Sequence, residues 1–179
     1  MHALRLTPSV SVCNLHRQRG ASLLEGIAYL GIAAIIILGA VALLTSAFSG
    51  ANTNRGYEEV TAIRTGVKRL YMGQSASYGT GDLTATLISA KVFPTSLSVS
   101  GASVKNTWNG DVSVTGASAN FTISYGNVPS DVCINMVSGS SDWVSVKVGS
   151  GAAAAPPIAP ATASSACGTG SSTIVWTGN

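Results

Sequence analysis

Two hydrophobic periodicities follow one another in the first half of the chain. From Gly26 to Leu44, nineteen consecutive residues carry no side-chain polar atom except that of Tyr29. The run is apolar on all sides, so it is not one face of a soluble helix. At 1.5 Å rise per residue, about twenty residues cross the hydrocarbon of a bilayer. A polar stretch of poor helix formers follows, Ser49 to Gly56. Apolar residues then return at Tyr57, Val60, Ile63, Val67, Leu70 and Tyr71. These spacings of three and four draw one stripe of an amphipathic helix, with Glu58, Glu59, Arg64, Lys68 and Arg69 assigned to its solvated surface. The pattern predicts one helix over 21–72, weakened between Ser49 and Gly56. If continuous, it would span roughly 78 Å. A small domain needs far less, so half of it must pack against something outside the subunit.

Beyond a Gly/Ser/Tyr loop ending at Gly81, Asp82 is placed to cap a short helix from Leu83 to Val92, stopped by Pro94. From Leu97 the period changes to two. Candidate strands are Leu97–Val104, Asp111–Thr115, Asn120–Tyr125, Val132–Val137, Trp143–Val148 and Thr173–Trp176, separated by Gly, Asn, Ser and Pro turns. Residues 149–166 read as a low-complexity Ala/Pro surface loop. Helix followed by strands makes an α+β chain: a long N-terminal helix packed on a C-terminal antiparallel sheet.

Charge sharpens this division. Of ten basic residues, Arg5, Arg17 and Arg19 precede Gly20, and the remaining seven balance seven acids. No Lys/Arg cluster suggests nucleic-acid binding. His2 and His16 both lie before Gly20, so the rest of the chain has no histidine. There is no Ser-His pair, His/Cys metal cluster or phosphate-binding glycine loop, and enzymatic readings fare poorly. Asp82, Asp111, Asp131 and Asp142 are scattered and read as turn or cap residues rather than as a metal site. Trp108 reads as core or turn packing.

Three readings fit the N-terminus. A secretory signal peptide would explain the basic start, with Thr45-Ser46-Ala47 as cleavage site, but its apolar core is usually shorter. An uncleaved anchor explains the length, but not Glu25 or the second stripe. In the third reading, Arg17-Gln18-Arg19-Gly20-Ala21-Ser22-Leu23-Leu24-Glu25 resembles the processing site of type IV prepilins: a basic leader ending in Gly, then Glu as fifth residue of the mature chain. The resemblance implies cleavage between Gly20 and Ala21 by a membrane prepilin peptidase and N-methylation of Ala21. It also implies that Glu25 pairs with the N-terminal amine of a neighbouring subunit. Ser22 and Glu25 have, in addition, the spacing of a helix capping box. The twenty-residue leader is similar to those of the type IVb class. Losing it would remove Cys13 and leave Cys133 and Cys167 as an even pair, as in an exported protein with one disulfide; two unrelated thiols are the alternative.

Further on, Lys91-Val92-Phe93-Pro94, Thr107-Trp108-Asn109-Gly110, and Phe121-Thr122-Ile123-Ser124-Tyr125 followed by Val128-Pro129 and Cys133 resemble type IVb pilins of the PilS kind, which form thin pili. The implied organisation is a leader over 1–20, a long helix over 21–72 and a globular head over 73–179. In the helix, residues 21–48 form the membrane or filament-core half and 57–72 the amphipathic half. A disulfide between Cys133 and Cys167 would bound the exposed D-region. The implied function is that of a non-enzymatic structural subunit, the major pilin, for cell adhesion or conjugative mating. It would be held in the inner membrane as a single-pass protein and then assembled into an extracellular pilus of a Gram-negative bacterium. Expected partners are further pilin subunits, the peptidase, an assembly platform and an ATPase; no cofactor is expected. A minor pilin, a type II secretion pseudopilin and a membrane-anchored binding domain that does not polymerise are the alternatives.

Overall fold

The structure is a computed structural model and describes residues 22–74 and 77–179. The chain divides into two compact units, with the boundary between Ala42 and Leu43. Helix α1, Leu23–Tyr71, belongs partly to each. It is helical through Ser49–Gly56, where a weakening was expected. The hydroxyl of Thr53, buried there, donates to the carbonyl of Ser49 (2.9 Å), and Gly56 lies against Met136. Tertiary packing therefore overrides the poor propensity of this segment.

In the second unit, α1 is followed by β1 (Thr80–Asp82), α2 (Thr84–Ser89), β2 (Ser98–Ser100), β3 (Ser103–Lys105), β4 (Val112–Ala117) and β5 (Asn120–Val128). The chain ends with α3 (Ser130–Ser138), β6 (Ser145–Val148), α4 (Pro160–Cys167) and β7 (Ser172–Gly178). Five strands form an antiparallel sheet in the order β1-β4-β5-β7-β6; β2 and β3 form a separate hairpin. The architecture is α+β. Val60, Ile63 and Val67 of α1 are buried in one core with Val114, Phe121, Ile123, Tyr125, Ile174 and Trp176 of the sheet. Alternation along β4 and β5 puts every second side chain into this core.

Three expectations need correction. Val132–Val137 is not a strand but lies in α3. Its short apolar run fits either period. Pro129 just before the helix and Asp131 in its first turn favour the helical one, and Val132, Cys133, Met136 and Val137 form its buried face. Leu97–Val104 is not one strand but mostly a hairpin. Gly101, at φ 59°, opens its two-residue turn. The 149–166 loop contains most of α4, whose Ala163 is fully buried. Pro160, placed in the first turn, begins a helix here rather than breaking one. Asp82 does serve the start of α2: its carboxylate accepts from the Thr84 backbone N–H (2.8 Å). Hydrogen bonding from the Thr84 side chain, then from its backbone N–H, holds the carboxyl below its usual range.

The turn at Asn106–Gly110 is locked to the β5 bulge. Buried Asn106 donates to the Gly126 carbonyl (2.7 Å), and its side-chain oxygen accepts from the N–H groups of Trp108 (3.0 Å) and Gly110 (2.8 Å). A Cβ on Gly110 would stand 1.9 Å from the Gly126 carbonyl oxygen. Backbone atoms on both sides leave little room to relax. Gly110→Ala is expected to cost about 3 kcal/mol, read as a lower denaturation midpoint of the detergent-solubilised protein; an unchanged midpoint would show that the turn and bulge move apart freely.

Candidate assembly site

The N-terminal part of α1 presents an apolar helical surface. Thirteen large apolar side chains between Leu23 and Leu44 are exposed, among them Leu23, Leu24, Ile27, Leu30, Ile35 and Leu38. This segment of α1 is long and apolar enough to cross a membrane, which suggests membrane anchoring. Leaving each such side chain in water costs about 1.5–3 kcal/mol. The sum exceeds the ~5–15 kcal/mol by which a domain is stable. The surface therefore requires lipid or protein around it.

At the start of this surface stands Glu25, exposed. It is the first acidic residue of the described chain, and the next, Glu58, comes nine turns later. One helical turn on, the Tyr29 hydroxyl donates to its carboxylate at 3.4 Å. The expected capping box is absent among the described residues: Ser22 contributes its backbone carbonyl to the Gly26 N–H (3.0 Å), but its hydroxyl caps nothing. Gly20 and Ala21 lie outside the described residues.

In the second unit, the sulfurs of Cys133 on α3 and Cys167 at the end of α4 are 2.00 Å apart, a disulfide. It ties α4 and the Ala/Pro segment to α3. The Ser130 hydroxyl also donates to the Gly168 carbonyl. The bond closes a loop with a sequence separation of 34, worth at most roughly 4 kcal/mol through restriction of the unfolded chain.

Glu59 departs most from the sequence reading. It was assigned to the solvated face of α1 but is 2% exposed. Its carboxylate accepts from the hydroxyl of fully buried Tyr125 on the central strand β5. The Arg55 guanidinium meets it from one turn earlier (Nε to Oε1, 3.1 Å) and donates onward to the Ser96 carbonyl (2.9 Å). Burial, then the hydrogen bond to Glu59, hold the Tyr125 hydroxyl well above the usual tyrosine range. Arg64 was also read as solvated. It lies over the Trp143 ring (4.8 Å) and donates to the Asp142 carbonyl. The i,i+4 spacing of Arg55 and Glu59 was visible in the sequence; the distant tyrosine that draws Glu59 inward was not. Trp108 packs edge-on against Tyr125 with ring centroids 6.3 Å apart.

Residues 50–179 match the family model described as PilS N terminal. None of the curated proteins matches the sequence. Among solved structures, the fold is similar to the type IVb pilin of Salmonella typhi, with 23% identity and TM-score 0.56 over 68% of this chain and 98% of that one. It is also similar to TcpA, a type IV pilin of Vibrio cholerae El Tor biotype, with 15% identity and TM-score 0.52 over 72% of this chain and 99% of that one. The exposed apolar helix, the antiparallel head and the family match agree: the chain belongs to the PilS N-terminal family and has the type IV pilin fold.

Proposed function

We propose that this chain is the major, repeating subunit of a type IVb pilus. It is made as a prepilin, cut between Gly20 and Ala21 by a prepilin peptidase, and N-methylated at Ala21. The mature subunit waits as a single-pass protein in the inner membrane of a Gram-negative cell, with residues 26–44 in the bilayer. An assembly platform and its ATPase extract it, and its helix packs with those of its neighbours in an extracellular filament serving adhesion or conjugative mating.

The exposed apolar surface of Leu23–Leu44 with its lone carboxylate at Glu25 carries this reading. Lipid and a filament core are equally apolar. Close packing between helices, rather than exclusion of water, must therefore favour the polymer. Glu25 adds a directional element. A carboxylate in a bilayer costs about 2.5–3.5 kcal/mol on insertion scales. An ammonium group of an adjacent subunit, met in the filament core, would offset that cost and set the axial register.

N-terminal sequencing and intact mass of the surface protein test the processing step. A mature chain beginning at Ala21, and accumulation of the full-length precursor in a Gly20→Leu variant, are expected. A start near Phe48 would indicate a signal peptide, and a start at Met1 a plain anchor. Sheared surface fibres containing this chain as the predominant protein would establish it as the major subunit; a trace amount would make it a minor one.

A further inference from the structure

Two patches lie on opposite flanks of the amphipathic part of α1, each tied to it by an arginine of that helix. Arg55 and Arg64 are nine residues apart, which at 3.6 residues per turn places them about 180° from one another. Arg55 donates to the carbonyl of Ser96, and Arg64 donates to that of Asp142.

Beside Ser96 is a groove of about 340 Å³ lined by Ile88, Lys91, Phe93, Pro94 and Val99. Its floor is apolar, and Val99 at its edge is 45% exposed. Lys91, held at φ 52°, lines it with an exposed ammonium group that has no ion-pair partner among the described residues. Beside Arg64, Asp142 at φ 58° and Trp143 and Val144 form a short ridge. Trp143 packs on Trp176 with centroids 6.2 Å apart, and the Val144 N–H donates to the Thr177 carbonyl (2.9 Å). Val144 is nevertheless 44% exposed, and the Asp142 carboxylate has no ion-pair partner among the described residues.

The patches are complementary: apolar groove with a cation on one flank, apolar ridge with an anion on the other. One copy cannot join them, because its own helix stands between. A contact between different patches of two identical subunits is heterologous and propagates in an open array. Resting on the polymer reading above, we propose that the Asp142–Val144 ridge of one subunit seats in the groove of a second copy, with Asp142 facing Lys91. The contact would order neighbouring heads in the filament.

A reciprocal charge exchange tests this in cells expressing the full chain. Lys91→Glu alone and Asp142→Lys alone are each expected to lower the yield of sheared filaments about tenfold by setting like charges together. The double variant, which restores opposite charges across the contact, is expected to recover most of that yield. A Val99→Cys/Val144→Cys variant should give disulfide-linked species of three or more subunits on a non-reducing gel, whereas either single variant stops at the dimer. Wild-type yield from a single charge variant, or no recovery in the double, overturns the contact and leaves the polymer reading standing. If the charge variants fail to accumulate, the cysteine pair decides: a ladder supports the contact, and filaments without linked multimers overturn it. A wild-type chain that forms no filaments takes both readings down.

Discussion

Glu25→Ala is expected to abolish filaments while leaving cleavage at Gly20–Ala21 intact. The expectation follows from where the charge goes at each stage. In the bilayer, the carboxylate is a liability of about 2.5–3.5 kcal/mol, eased only slightly by the long hydrogen bond from Tyr29 (3.4 Å). Its removal should therefore make the anchored subunit more, not less, comfortable in lipid. In the proposed filament, the same carboxylate faces a neighbour's ammonium group. Removing one partner of a buried pair leaves the other uncompensated, at about 3–5 kcal/mol, or a factor of hundreds in each subunit addition. Loss on one side and gain on the other both favour the membrane. Glu25→Gln should fail nearly as badly, because it keeps the shape and loses the charge. Tyr29→Phe should have a small effect, since a hydrogen bond as long as 3.4 Å contributes little. Filament yield after shearing, measured beside N-terminal sequencing of the membrane pool, checks all three. Normal filaments from Glu25→Ala would eliminate the pairing.

Periodicity made the main elements legible because it reports directly on which face is buried. The stripe Val60, Ile63 and Val67 reads as a helix from sequence and packs as one. The alternation of Val112, Val114 and of Phe121, Ile123, Tyr125 likewise reads as strands and pairs as β4 and β5. Where a run is short, period fails. Six residues from Val132 satisfy both templates, and it is the flanking Pro129 and Asp131, with one face buried in the core, that make them helical. In the Ala/Pro segment there is almost no period to read. Ala163 and Ile158 are buried there because the Cys133–Cys167 link and α3 hold them, a constraint between distant positions. Glu59 was misplaced for the same reason. A glutamate at the edge of an apolar stripe is solvated by default, and its burial depends on Tyr125, 66 residues away. Arg64 is drawn over by Trp143, likewise far along the chain. Local pattern names elements and their faces. It does not name polar partners that meet only after the sheet has formed.

That buried network sets the other large expectation. Glu59→Ala should lower the stability of the head by about 3 kcal/mol. The ion pair itself supplies little, because Arg55 is 47% exposed and such pairs are worth about 0–1 kcal/mol. The larger part comes from the Tyr125 hydroxyl, left without an acceptor in the core, at about 1–3 kcal/mol, with lost packing added. Glu59→Gln keeps an acceptor oxygen and should cost only about 1 kcal/mol. Tyr125→Phe removes the stranded hydroxyl, so the double variant Glu59→Ala/Tyr125→Phe should be less destabilised than the sum of the singles by about 1–2 kcal/mol. Denaturant midpoints of the detergent-solubilised protein give the full cycle; strict additivity would mean that the two groups do not share a bond. The same contact predicts an alkaline response. Burial and Glu59 both keep the proton on Tyr125 in the folded state. Below about pH 10 the hydroxyl is protonated whether the chain is folded or not, and its contribution is complete. Above that pH the unfolded chain releases a proton that the folded chain retains. Stability then falls with rising pH, by up to about 1.4 kcal/mol per unit for this group. Tyr57 is shifted in the same direction, by its own burial, so Tyr125→Phe should flatten the decline without abolishing it. Parallel declines in wild type and Tyr125→Phe would show that the Tyr125 proton is not held by the fold.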